Sequence, residues 1–219
     1  MHFRPIRCPV AGLLACLLAI PAARAAGTVQ MRCLDAKDLP VADAVTWLTP
    51  LDTTATVTPP AEPVVIEQKG EEFNPYVIPV VVGTRISFPN HDTVQHHVYS
   101  LSKPKRFEIP LYSGESKEAI VFDQPGVVTL GCNIHDWMVA YVVVLTSPYY
   151  TKSDATGSAV ITGLPPGRYR LEVWHPRHPD ELTREVIVSG AEATPQVITL
   201  KLKPDRRIRR APDASGKGY

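Results

Sequence analysis

The sequence predicts an all-β protein built as two sandwiches, one larger and one smaller. Three observations predict it. Short runs rich in β-branched residues recur along the chain, each closed by Gly, Pro or Asn. No stretch carries convincing helical periodicity. The 22 prolines among 219 residues suit strands and loops, because a proline inside a helix removes a hydrogen bond and clashes with the preceding turn. The length accommodates one large or two small domains.

Residues 1–25 read as an export signal rather than as part of the fold. Arg4 and Arg7 form a positive start, Pro9 to Ile20 is an apolar run too short to span a bilayer, and Ala23-Arg24-Ala25 is a small-residue cleavage site. Leu13-Leu14-Ala15-Cys16 also resembles a lipoprotein cleavage box, but the apolar run continues past Cys16 and a second site follows. The expected location is the periplasm. No other segment reads as a membrane helix, so no membrane span is expected. Without residues 1–25 the chain has 20 Lys+Arg against 22 Asp+Glu, and the tail from Pro204 carries a net +3. The folded part is thus acidic, which argues against a nucleic-acid partner. The tail, 204–219, reads as a basic, disordered, solvated end; an electrostatic contact with an acidic partner is the sharper alternative.

The elements follow in order. Residues 26–50 hold two strands, Thr28–Cys33 and Ala44–Leu48, with no obvious partners nearby. Pro50–Pro63, rich in Thr and Pro, reads as a linker. Residues 62–146 hold the strands Val64–Ile66, Tyr76–Val82, Thr84–Phe88, His96–Leu101, Ala119–Phe122, Val127–Leu130 and Val139–Leu145, at the spacing of a sandwich or barrel. Pro104–Ser116 reads as a turn or a short irregular excursion. Residues 147–203 hold Ser158–Ile161, Arg168–Val173, Glu185–Val188 and Val197–Leu202, with Gly163-Leu-Pro-Pro-Gly167 as a tight connector. Four strands are too few for a comfortable sandwich. The economical solution pairs them with residues 26–50, so that the larger sandwich is inserted into the smaller one.

The chemistry concentrates in Cys132-Asn-Ile-His135-Asp-Trp-Met138, preceded by His96-His97. Cys132, His135 and Met138 sit on one short loop between two strands. A histidine from a distant strand would complete a His₂Cys set with a weak thioether, the ligand set of type 1 copper. His96 and His97 are adjacent on a strand, so only one can face the metal; spacing alone does not choose, and the other is free to support the ligands by hydrogen bonding. Asp136 places a carboxylate near the metal edge. Alternatives remain open. Cys8 and Cys16 leave with the signal, so Cys33 and Cys132 could form one disulfide, although Cys33 also fits an apolar strand face with Val29 and Met31. Recruitment of His91 would give a less trigonal, type 2-like copper centre. Zinc fits poorly with a single cysteine in the cluster. His175 and His178, without a third ligand, read as ordinary surface residues. No catalytic constellation is present, so an enzyme is not expected.

Phe88-Pro-Asn90-His-Asp-Thr-Val-Gln-His96-His-Val98 resembles the cupredoxin strand pattern of plastocyanin and amicyanin. Cys132-x₂-His135-x₂-Met138 is similar to the short ligand loop of amicyanin. The resemblance covers roughly residues 62–146 and implies a Greek-key sandwich holding one mononuclear copper, with His96, Cys132 and His135 as strong ligands and Met138 axial. It selects His96 as the ligand and puts His97 where the family has an Asn that ties the ligand loops together; Asn90 keeps the family's other supporting Asn. The wording of the ligand loop also resembles periplasmic methylamine-utilisation or plastocyanin-like proteins. Asp154 to Val173, together with Pro40-Val-Ala-Asp-Ala44-Val, resembles the carboxypeptidase-regulatory, transthyretin-like sandwich, which implies an Ig-like structural module in 147–203.

The leading expectation is therefore a periplasmic type 1 copper protein that transfers single electrons, docking a redox partner protein near His135 and Trp137 through a small, transient contact. Copper trafficking or storage with the same ligands is a second reading. A structural envelope module that has lost its metal, with Cys33 and Cys132 crosslinked, is a third.

Overall fold

The computed structural model describes residues 26–115, 118–190 and 193–205. The segment read as an export signal, with Cys16, and the tail beyond 205 lie outside the described residues. All regular elements among the described residues are strands.

The chain opens with β1 (Gly27–Asp35) and β2 (Val45–Pro50), then runs through an exposed, irregular connector across 51–63. The larger sandwich follows. Its first strands are short: β3 (Val64–Val65), β4 (Glu67–Gln68) and β5 (Phe73–Asn74). Next come β6 (Val77–Val81), β7 (Thr84–Ser87), β8 (His96–Ser102) and β9 (Lys105–Tyr112). It closes with β10 (Ile120–Phe122), β11 (Gly126–Gly131) and β12 (Val139–Leu145). One sheet has the order β6-β12-β11-β8-β9, the facing sheet β10-β7-β3, and β4 and β5 form a small hairpin. Side chains alternate along each strand, so one face of each sheet enters a shared core that includes Ile86, Phe88, Val98, Phe122, Val128 and Leu130, all fully buried.

The chain then returns to its first two strands. β13 (Tyr150–Lys152), β14 (Ser158–Leu164), β15 (Gly167–Trp174), β16 (Leu182–Val188) and β17 (Ala193–Leu200) complete the smaller sandwich. Its sheets are β14-β1-β17 and β13-β2-β15-β16. β1 pairs antiparallel with β14 and parallel with β17, and β2 lies between β13 and β15. The nested arrangement expected from the sequence is the one observed. A third apolar cluster joins the two sandwiches: Val45 packs with Val77, Val143 and Leu145, and Trp47 and Trp174 pack with Tyr76 and Tyr141.

Two expectations are corrected. Pro104–Ser116 is not an irregular excursion, because Lys105–Tyr112 forms β9. Phe107 and Ile109 turn into the core while Arg106 and Glu108 face out, and Pro110 is tolerated because β9 is an edge strand. His175 and His178 are buried rather than on the surface. The Nδ1 of His175 accepts from the Arg177 N–H at 3.2 Å within the β15–β16 connection, and that of His178 accepts from the Lys201 N–H at 3.1 Å and ties the connection to the end of β17.

Candidate metal centre

The larger sandwich brings His96, Cys132 and His135 together at one end. One ring nitrogen of each histidine and the Cys132 Sγ all lie within 4.8 Å of one another. His96 opens β8 beside a register shift between His96 and Val98, and its side chain is fully buried. Cys132 immediately follows β11. The Met138 N–H donates to the His135 carbonyl at 2.9 Å, closing the ligand loop as a tight turn before β12. Gly131 sits close under Tyr99: a Cβ on it would lie 3.0 Å from the ring, which would have to give way.

A carboxylate stands on the Nε2 side of each ring. His96 Nε2 contacts Asp92 Oδ2 at 2.8 Å, and His135 Nε2 faces Glu71 Oε2 at 3.9 Å. The Nδ1 atoms of both rings are buried and have no hydrogen-bond partner. A buried polar atom without a partner costs free energy. Two such nitrogens beside a cysteine sulfur are what a soft, imidazole-binding metal would satisfy, so these residues fit copper.

Asp92 also accepts from the Gly70 N–H at 2.6 Å and the Glu71 N–H at 2.9 Å. Burial works against its charge, yet the donors from Glu71, His96 and Gly70 together hold its carboxyl below the ordinary range. Gly70 and Glu71 both have positive φ, 65° and 58°, and this left-handed pair presents successive N–H groups to the carboxylate. The tip between β4 and β5 is thereby tied to His96 through Asp92 and reaches His135 through Glu71.

Asn90 sits next to this network. Its Nδ2 donates to the carbonyls of Val94 and Tyr112, at 2.9 and 2.8 Å, and its Oδ1 accepts from the Asp92 N–H at 2.9 Å. Beneath it, Gln68 Nε2 donates to the Phe88 carbonyl and the Tyr112 hydroxyl, and that hydroxyl donates to the Phe88 carbonyl. Burial pushes the Tyr112 hydroxyl up to about 12, with Gln68 pulling the other way and Cys132 adding to the rise.

The remaining residues are placed as follows. Met138 is 2% exposed and shares the core with Cys132. His97 does not tie the ligand loops together: it lies on the opposite side of β8, its Nε2 contacts Glu108 Oε1 on β9 at 2.8 Å, and its ring packs on Tyr99. His91 is outside the converging group, with Nδ1 on Glu67 Oε2 at 3.1 Å. Asp136 is exposed and lines an outer groove; the carboxylates facing the imidazoles are Asp92 and Glu71. Trp137 packs 5.2 Å from His135, centroid to centroid. Cys33 lies in the other core, where burial pushes its thiol up to about 11 against a hydrogen bond with Ser153. Both cysteines are free, which overturns the disulfide alternative.

No protein-family model matches the chain, and no curated protein matches it. Solved structures similar to part of it include a Cu-containing nitrite reductase from Thermus scotoductus SA-01, 26% identical over 44% of this chain and 25% of that one, with a TM-score of 0.37. A reduced Cu(I) form of an amicyanin mutant is 20% identical over 38% of this chain and 82% of that one, TM-score 0.35. A purple cupredoxin from Nitrosopumilus maritimus is 25% identical over 37% of this chain and 98% of that one, TM-score 0.33. The chain thus spans a quarter of the nitrite reductase. These likenesses are partial, and the metal assignment rests on the ligand geometry.

Proposed function

We propose that the protein is an exported, periplasmic carrier of single electrons with one mononuclear type 1 copper. The convergence of His96, Cys132 and His135, with both Nδ1 atoms buried and unpaired, carries this reading. Copper bound there would supply a one-electron couple. Asp92 fixes the ring and the tautomer of His96, since an Nε2–H donated to the carboxylate leaves Nδ1 bare for a metal. Cys132 and Met138 are held by the turn between two long strands. Such rigidity keeps the ligands in place across both oxidation states and so limits reorganisation. Core packing excludes water from the His96 side, while His135 keeps a 15% exposed edge beside Trp137. That edge is the port through which a partner would exchange the electron.

The test is titration of the purified mature protein with Cu(II), followed by visible absorption and electron paramagnetic resonance. An intense thiolate-to-copper charge-transfer band with stoichiometric loading, lost in Cys132→Ser, is the expected result. A colourless protein that still holds one copper would overturn the type 1 assignment. Slow exchange of the bound copper with chelators would favour a carrier over a trafficking protein.

A further inference from the structure

The smaller sandwich carries a cavity of about 270 Å³ whose wall is aromatic and acidic. Trp47 on β2 lies directly across from Glu172 on β15. Trp174, two residues further along β15, shares their face of the sheet. Two half-buried indoles therefore stand beside one carboxylate. That carboxylate accepts from the Thr49 hydroxyl at 3.0 Å and lies 3.5 Å from Arg170 Nε. Asp180 and Glu181, from the β15–β16 connection, line the same cavity; both are exposed, and neither forms an ion pair among the described residues. None of the lining residues is Lys or Arg. His178 completes the polar wall and is only 9% exposed. Its Nδ1 accepts from the Lys201 N–H at 3.1 Å, so the neutral ring keeps its hydrogen on Nε2. That Nε2–H has no hydrogen-bond partner among the described residues. Indole faces and carboxylates select a cation, and the buried donor calls for an acceptor beside it.

The chain supplies both from its own sequence. After Lys201 meets His178 at the cavity wall, the Lys203 N–H donates to the Arg177 carbonyl at 2.8 Å, and Arg177 Nε donates back to the Lys203 carbonyl at 2.6 Å. Asp205 then faces Arg177 at 3.8 Å. The next residues in sequence are Arg206-Arg207-Ile208-Arg209-Arg210. Five residues reach at most about 17 Å, enough to return to a wall that the chain touched at Lys201. We infer that the arginines of 206–210 dock in this cavity, with guanidinium planes against Trp47 and Trp174 and their charge on Glu172, Asp180 and Glu181. Arginine suits both surfaces, because its planar cation stacks on aromatic rings and pairs with carboxylates as a fork. A backbone carbonyl of the same segment takes the His178 Nε2–H. The tether makes the contact intramolecular, so individually weak pairings still hold the segment in place. The acidic partner of the basic tail is thus the smaller sandwich of the same chain, and any other acidic surface must displace it. This goes beyond electron carriage and needs no metal.

The experiment uses the full mature chain, isotope-labelled and metal-free. Its three tryptophans give three indole N–H resonances, with Trp137 of the larger sandwich as the internal control. The variant Arg206→Gln/Arg207→Gln/Arg209→Gln/Arg210→Gln should move the Trp47 and Trp174 resonances and leave Trp137 in place. Adding a synthetic peptide of residues 204–219 to that variant should move both back toward their native positions. Sodium chloride at about 1 M, where charges are screened beyond about 3 Å, should move the native resonances toward those of the variant. The exposed pair Asp180→Asn/Glu181→Gln tests the other side of the contact: once it is made, replacing the four arginines should add little further displacement, the non-additivity expected of groups in contact. Trp47 and Trp174 resonances indifferent to the arginines and to salt would overturn the inference. Resonances that ignore the arginines but respond to tetramethylammonium would also overturn it, by assigning the cavity to a small organic cation. So would native positions that change with protein concentration, which would put the tail of a second copy there.

Discussion

Asp92→Asn tests whether one carboxylate organises the metal site. In the native protein this carboxylate accepts three donors, the N–H groups of Gly70 and Glu71 and His96 Nε2. An amide has one accepting oxygen, and its NH₂ presents hydrogens toward groups that also present hydrogens. At least one donor must lose its partner in a site where Asp92 is only 13% exposed. Hydrogen bonds to a charged group contribute about 1.5–3 kcal/mol each, and a buried orphan donor costs about 1–3 kcal/mol. The apo-protein should therefore lose about 2–3 kcal/mol in urea unfolding. Freed from the carboxylate, the His96 ring should also hold metal about 10–100-fold less tightly, equivalent to about 1.4–2.8 kcal/mol. Competition with a Cu(I) chelator reads this directly, and the midpoint potential should rise because a negative charge that favoured the oxidised site is gone. Linkage adds a check. The Asp92 carboxyl is held below its ordinary range, so its stabilisation is complete above the unfolded value of about 4 and is lost as pH falls through the depressed folded value. Thermal melts between neutral pH and strongly acidic pH should show a smaller acid loss in the variant. A variant with wild-type stability and unchanged copper affinity would refute the role given to Asp92.

Three further outcomes are expected. Gly157→Ala should destabilise the smaller sandwich by about 2–4 kcal/mol, because φ is +76° and the added Cβ would lie 2.4 Å from the Cys33 carbonyl oxygen; denaturant unfolding measures it. In the native protein Cys33 should resist thiol reagents at neutral pH, since burial holds its thiol up at about 11; fast labelling of both cysteines without unfolding would contradict the placement of Cys33 in a separate core. Alkaline titration followed by ultraviolet absorption should show Tyr112 ionising at about 12. Its stabilising effect should be complete below the unfolded value of about 10 and be lost as pH rises toward 12.

The strands were readable where both signals agreed. Val139–Leu145 has the expected bounds because its apolar run is rich in β-branched valines. β9 escaped notice because Pro110 and three charges mask the inward pair Phe107 and Ile109, a pattern that only an edge strand explains. The nesting was legible by elimination, since the strands of 26–50 and 147–203 each lacked partners. At the site, the chemistry of Cys132 and His135 was local and therefore visible. Asp92 was in plain view four residues before His96, but its role depends on the left-handed backbone at Gly70 and Glu71, in a hairpin 22 and 21 residues earlier. Glu71 could not be read at all, because its approach to His135 is purely tertiary. His97 invited a role at the ligand loops that the alternation of β8 denies it; Glu108 on β9, the register partner of Tyr99, takes its Nε2 instead.

Copper-edge X-ray absorption of the loaded protein asks most directly which atoms bind the ion. One short sulfur scatterer and two imidazoles are expected, with the sulfur lost in Cys132→Ser and one imidazole lost in His96→Ala. A wild-type spectrum showing only nitrogen and oxygen neighbours, unchanged by Cys132→Ser, would contradict that ligand set.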